Sequence, residues 1–180
     1  MNYQNFFKQY VANVYDFPIK GIIFRDITPT LENPKAFKEC IDALEAEVSK
    51  YEFDKIVCAE ARGFLFGAAL AYKMGKGIVV ARKPNKLPRP GLSYSYTLEY
   101  GQNKLVISDD AIKEGEKCLI LDDLLATGGS SLAMINLVKM AKGNPVCAAF
   151  YIELPDLKGR QLIEEQAKIP VISLVKFEGE

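Results

Sequence analysis

Short apolar runs rich in β-branched residues punctuate the chain: Ile56-Val57-Cys58, Ile78-Val79-Val80, Leu119-Ile120-Leu121, Val146 to Ile152 and Val171 to Val175. They run on without a polar alternation, the pattern of strands buried on both faces. Helix-like stretches separate several of them, notably Gly63 to Met74 and Gly129 to Lys142. An earlier helix is predicted after Glu32-Asn33-Pro34. Asn33 suits the N-cap, Pro34 suits the first helical position, and Phe37, Ile41, Leu44 and Val48 then recur on one face. Buried strands alternating with helices define the class: α/β, a parallel-sheet core with helices on both faces. One stretch breaks the rhythm. Arg82 to Gly101 holds Pro84, Pro88, Pro90 and Gly91 among Lys83, Lys86 and Arg89, then Ser93-Tyr94-Ser95-Tyr96. It is too long and proline-rich for an ordinary connection and reads as a lid loop.

Length and composition narrow the chemistry. A chain of 180 residues suits one domain over 1–180. Lysine plus arginine number 23 and aspartate plus glutamate 23, so a nucleic acid or a membrane surface is not the expected partner. Histidine is absent, which excludes Ser-His-Asp and Cys-His catalysis, an HExxH zinc site and an imidazole proton shuttle. The four cysteines form no CxxC pair, and Cys58, Cys118 and Cys147 fall in apolar runs as small core residues. Met1 to Tyr10 is polar and aromatic, unlike a signal peptide, and Gly63 to Tyr72 is far shorter than the roughly 20 apolar residues of a membrane span. A cytoplasmic protein is expected.

The most informative segment runs from Leu119 through Asp122-Asp123-Leu124-Leu125-Ala126-Thr127-Gly128-Gly129-Ser130-Ser131 into a helical pattern. A helix start offers unpaired N–H groups and a positive dipole end, which favour a phosphate. Gly128 and Gly129 permit close approach, and Thr127, Ser130 and Ser131 add hydroxyl donors. Neither the Walker pattern nor GxGxxG is present. Neighbouring strand residues face opposite ways, so Asp122 and Asp123 both reach one site only if the strand ends there. Acids beside a phosphate serve best as acceptors for ligand hydroxyls, and a sugar phosphate supplies both groups.

This segment resembles the site at which type I phosphoribosyltransferases bind 5-phosphoribosyl 1-pyrophosphate (PRPP). Further segments are similar to the adenine-specific members of that family, in their order. They are Ile23-Phe24-Arg25-Asp26-Ile27-Thr28-Pro29, Glu60-Ala61-Arg62-Gly63-Phe64, Arg82-Lys83 with Lys86-Leu87-Pro88, Leu98-Glu99-Tyr100-Gly101, and Leu154 to Arg160. The likeness covers nearly the whole chain from Tyr3 to the last strand. It implies the type I fold with a small hood over about 1–32 and a flexible lid loop over about 82–101.

The resemblance also implies roles. Asp122 and Asp123 would bind the ribose hydroxyls, and Ala126, Thr127, Gly128, Gly129 and Ser130 the 5-phosphate. Arg62 would take the pyrophosphate, with Glu60 and Ala61 shaping the turn, and Arg82, Lys83 and Lys86 adding positive charge. Phe24 would stack on the base, and backbone groups around it, including Arg25, would read the base edge. Glu99 would handle the proton near the purine N7, with Tyr100 beside it. The implied reaction joins adenine to PRPP, giving AMP and pyrophosphate. Mg²⁺ is implied, held mainly by substrate oxygens and water rather than by a protein metal site, and so is a homodimer. Ser130 stands where family members often have Thr, and Asn85 where Gly is common. Two other readings remain: a hypoxanthine or guanine phosphoribosyltransferase, and a PRPP- or purine-sensing regulatory module. The Phe24 and Glu99 segments oppose the first, and the neutral charge and missing helix-turn-helix oppose the second.

Overall fold

The strands β3 (Lys55–Ala59), β4 (Gly77–Ala81), β7 (Lys117–Leu125), β8 (Asn144–Glu153) and β9 (Val171–Lys176) form a parallel sheet in the order β4-β3-β7-β8-β9. They contain the five apolar runs. The computed structural model describes residues 3–98 and 101–179. Side chains alternate between two apolar layers. Cys58, Leu119, Leu121, Cys147 and Tyr151 face one way, and Val57, Ile120, Ala148 and Phe150 the other. The first layer is covered by α3 (Pro34–Val48) and α4 (Gly63–Met74), and the second by α5 (Gly129–Met140) and α6 (Gly159–Ala167). Asn33 caps α3, its side chain accepting from the N–H groups of Lys35 and Ala36 at 3.1 and 3.0 Å.

The first thirty residues divide between two tasks. In α1 (Tyr3–Lys8), Phe7 is fully buried and meets the Tyr151 ring edge-on at 5.5 Å, so this helix joins the core. What stands out as a hood is an antiparallel ribbon of β1 (Ala12–Tyr15) and β2 (Ile23–Asp26), followed by α2 (Thr28–Glu32). On the ribbon and its turn Tyr15, Phe17, Ile19 and Ile22 are exposed.

The stretch expected as a lid loop is mostly regular. β5 (Gly91–Leu98) and β6 (Gly101–Ser108) pair antiparallel along their full length, and Arg82 pairs with Val106 at the base through N–H···O bonds of 2.9 and 2.8 Å. Leu105 and Ile107 bury themselves in the second apolar layer and root the ribbon in the core. Among the described residues of this stretch, irregular backbone is confined to 83–90, where Asn85 adopts a left-handed φ of 65°. Asparagine tolerates that conformation better than most residues other than glycine.

Thr30 ties the N-terminal layer to the sheet. Its hydroxyl donates to the Tyr10 carbonyl at 2.8 Å, so the buried Tyr151 hydroxyl, also 2.8 Å away, donates to it. Replacing Thr30 with valine keeps the shape and leaves a buried donor and a carbonyl unpaired. Equilibrium urea unfolding of Thr30→Val should show a loss of about 1–3 kcal/mol, the usual penalty for such a group. A loss within experimental error would mean that this junction carries no load.

Candidate active site

β3 and β7 lie side by side, yet the chain leaves them in opposite directions, through α4 to β4 and through α5 to β8. Such a divergence leaves a crevice at the carboxyl ends of the strands, where α/β sheets bind ligands. A cavity of about 530 Å³ opens at this point. Residues 60–62 line one side, residues 122–131 the other, and Lys83, Tyr96 and Asn103 reach it from the ribbon side.

The acid pair enters the cavity by a route different from the expected one. β7 does not end at Asp122 and Asp123 but continues to Leu125, still paired with β8. The pairing that stops is the one with β3, at Cys58 and Leu121. Both acids line the cavity because their neighbour strand has ended. Asp122 sits against the start of α4. A Cβ on Gly63 would lie 2.6 Å from its Oδ1, so a side chain there would have to displace the carboxylate. The same Oδ1 accepts the Asp123 backbone N–H at 2.9 Å.

Asp123 is 4% exposed and its Oδ2 lies 2.8 Å from Arg62 Nε, out of hydrogen-bond alignment. Consequently Asp123 Oδ2 and Arg62 Nη1 are buried polar atoms without hydrogen-bond partners. Such orphans are rare and call for a polar partner from outside the protein, a water or a ligand group. Burial pushes the Asp122 carboxyl well above the usual carboxylate range, reinforced by the charge of Asp123. Burial also raises Asp123, against the opposing pull of Arg62.

Arg62 also extends to the hood, its guanidinium 5.0 Å from the centre of the Phe24 ring, which Phe17 meets edge-on at 5.2 Å. Phe24 itself does not line the cavity but borders it through Arg62. At the end of β2, Asp26 accepts from the Thr28 hydroxyl at 2.5 Å and its N–H at 3.0 Å, which lowers the Asp26 pKa.

Beyond β7 the chain turns through Ala126 and Thr127 to Gly128, whose φ of 85° is the left-handed conformation that glycine adopts without strain. Gly128 is the N-cap of α5. Its carbonyl accepts from Leu132 N–H at 2.9 Å, and no side chain caps the first turn. The free N–H groups of that turn therefore border the cavity with Thr127, Ser130 and Ser131, a ready anion site. Ser130 Oγ shares a hydrogen bond of 3.1 Å with the Tyr96 hydroxyl.

The remaining candidates divide. Glu60 lines the cavity, its peptide bond to Ala61 is cis, and its carboxylate accepts from Arg82 Nε and Lys83 N–H, both at 2.9 Å. Burial alone would raise the Glu60 pKa, but these two bonds outweigh it and lower it. Lys83 lines the cavity, whereas Arg82, spent on Glu60 and the Lys86 carbonyl, does not. Lys86 is exposed and outside the lining. The Arg25 side chain points away. It is 6% exposed, donates to Asn13 Oδ1 at 2.5 Å and lies 4.6 Å over the Phe177 ring. Only its backbone remains to meet a base. Glu99 and Tyr100 lie outside the described residues. Tyr96 and Asn103 were not anticipated. The alternation Tyr94-Ser95-Tyr96-Thr97 carries a strand signal that puts Tyr94 and Tyr96 on one face.

A family model described as a phosphoribosyl transferase domain matches residues 28–169. The chain belongs to the phosphoribosyltransferase family. It is 52% identical over 170 residues to the adenine phosphoribosyltransferase of Thermosipho melanesiensis, covering 94% of this chain and 95% of that protein. The crystal structure of the adenine phosphoribosyltransferase of Thermoanaerobacter pseudethanolicus aligns with a TM-score of 0.92 at 46% identity, over 96% of this chain and 99% of that one. The Saccharomyces cerevisiae enzyme, solved with adenine and an imino-altritol bisphosphate, aligns at 0.88 and 38% identity, over 96% and 98%.

The acid pair makes a signed prediction. A carboxyl whose folded pKa is raised binds its proton more tightly folded than unfolded. Its contribution to stability is therefore highest at low pH and falls as pH climbs from the unfolded value of about 3.9 through the raised one. Asp122→Asn should remove this loss. The variant's Tm should exceed the parent's at pH 7, and the two should converge towards pH 4. A variant less stable than the parent at both pH values would show that the ionised acid is stabilised in the fold.

Proposed function

We propose that this chain is an enzyme that transfers the 5-phosphoribosyl group of PRPP to adenine, releasing pyrophosphate and forming AMP in purine salvage. The observation that carries the reading is the juxtaposition, in one cavity, of the adjacent acids Asp122 and Asp123, the uncapped start of α5 and the under-partnered Arg62. Ala126 to Ser130 hold the 5-phosphate on the free N–H groups and hydroxyls. Asp122 and Asp123 accept the two ribose hydroxyls. Arg62, with its free Nη1, takes pyrophosphate oxygens, and Lys83 adds charge from the ribbon side. Arg82 acts through Glu60, which it and Lys83 fix in place. Lys86 contributes its charge from the exposed loop. Phe24 offers the base a stacking surface, and backbone groups of Phe24 and Arg25 read its edge, as adenine in the yeast relative's structure encourages.

As the bond from C1 to the pyrophosphate oxygen lengthens, positive charge develops on the ribose ring, and a purine nitrogen closes on C1. Positioning and charge stabilisation do this work, with no covalent intermediate on the protein. Glu99 exchanges the proton near N7, with Tyr100 beside it, and the ribbon excludes water. Mg²⁺ when bound neutralises polyphosphate charge. The carboxylates of Asp122 and Asp123 are the hard oxygen chemistry it accepts, although most of its ligands would be substrate oxygens and water. We take the enzyme as a cytoplasmic homodimer. Four buried, unpaired cysteines suit a reducing compartment, and among the described residues no helix is long and apolar enough to cross a membrane.

The deciding experiment supplies PRPP and Mg²⁺ with adenine, hypoxanthine, guanine or xanthine in turn. AMP from adenine alone is expected. IMP or GMP would keep the cradle and overturn the base reading, and no product with any base would overturn the reaction. Two variants test the roles. Asp123→Asn should raise the KM for PRPP, since a charge-assisted hydrogen bond is worth about 1.5–3 kcal/mol. Glu99→Gln should lower kcat by about 10²-fold, the scale of general acid–base catalysis. Unchanged kinetics would remove either residue from its role.

A further inference from the structure

The segment from Leu154 to Arg160 takes no part in the chemistry above, yet its backbone lies directly against the phosphate loop. A Cβ on Gly159 would fall 2.8 Å from Leu125 Cδ1, 2.9 Å from the Gly128 nitrogen and closer still to the Ala126 carbonyl oxygen. Reciprocally, a Cβ on Gly128 would fall 3.0 Å from the Gly159 carbonyl oxygen and 3.1 Å from its Cα. The two glycine backbones are in mutual contact, with no room for a methyl group on Gly159 and a tight fit for one on Gly128.

The floor that Gly159 forms is not free to retreat. Leu154 N–H donates to the Leu125 carbonyl at 2.9 Å, and Leu162 N–H to the Lys158 carbonyl at 3.1 Å. Arg160, the next residue, spreads its guanidinium over both sheet strands behind it. Nε and Nη2 donate to the Glu153 carboxylate at 2.8 and 2.6 Å, Nη1 to the Val171 carbonyl at 2.5 Å, and Nη2 to Ser173 Oγ at 3.1 Å. Glu153 is 2% exposed at the end of β8 while Arg160 is half-buried, so the anchor is an ion pair with one partner inside the protein.

We propose that Gly159 is a positioning residue for the 5-phosphate subsite: its bare backbone sets how deep Ala126 to Gly128 sit, and the Arg160–Glu153 pair holds it at that depth. This rests on the reading of the loop as the 5-phosphate site. A methyl group at Gly159 forces the Ala126 carbonyl and the Gly128 N–H towards the cavity, turning the N–H groups off the anion. Neither Gly159 nor Arg160 lines the cavity, so the effect travels through the loop alone.

The test compares Gly159→Ala with the parent enzyme in separate KM values for PRPP and adenine, with calorimetric titrations of ribose 5-phosphate and pyrophosphate and a thermal melt alongside. In the variant, KM for PRPP and Kd for ribose 5-phosphate should rise about ten- to a hundredfold, the scale of an ångström's misplacement in a site. KM for adenine and Kd for pyrophosphate should stay at the parent's values. Arg160→Lys, which keeps the charge but loses the forked contact, should move the same two quantities in the same direction by less. It decides the matter if Gly159→Ala does not fold. A rise in all four quantities together, or ribose 5-phosphate binding equal to the parent's, overturns the inference. A parent enzyme that binds no ribose 5-phosphate instead overturns the phosphate-site reading itself.

Discussion

Two adjacent carboxylates on β7, set just past the point where its pairing with β3 stops, are the constraint around which this molecule is arranged. Glu153 is another buried acid of this fold, and the contrast is instructive. Burial pushes Glu153 up, but Arg160 and Ser173 satisfy its oxygens and bring it below its ordinary value. Asp122 and Asp123 receive weaker help: backbone N–H groups, and for Asp123 a guanidinium that meets it out of alignment. Both remain raised. A fold that pairs Glu153 through a guanidinium and a hydroxyl leaves the Asp122–Asp123 pair with fewer protein partners, facing the cavity.

Arg62 connects this pair to the rest of the site. It stands at the start of α4, contacts Asp123 on one side and lies over Phe24 on the other. An anion that draws the guanidinium away changes both contacts at once, so the hood ribbon and the acid pair share one cation. On the opposite wall Tyr96 and Ser130 make the corresponding link, joining the β5–β6 ribbon to the first turn of α5. The cavity is thus bordered by three separately rooted pieces: the sheet ends, the hood ribbon and the ribbon built of β5 and β6. The hood meets the sheet ends through Arg62 over Phe24, and the β5–β6 ribbon meets α5 through Tyr96 and Ser130.

Much of this was legible along the chain. The five apolar runs became the five strands of the sheet, because a strand covered on both faces has no polar side to show. Asn33-Pro34 opened α3 and Gly-Gly opened α5, since caps are local chemistry. The acids, the glycines and Arg62 could be nominated as residues. The ribbon was read as a loop because its prolines and charges cluster at 83–90, masking the alternation that follows. The burial of Arg25 was not legible, because its partners Asn13 and Phe177 lie 12 and 152 residues away.

The sequence by itself determined the class of the fold, the element boundaries set by caps and glycines, and the kind of chemistry available without histidine. Those properties depend on neighbours within a turn or a strand. Only the tertiary structure decided how the two acids share one cavity, which cations face it and which are spent elsewhere, and why Gly159 must lack a side chain. Each depends on where an adjacent strand stops or where a distant backbone passes, and such distances are set by packing rather than by spacing along the chain.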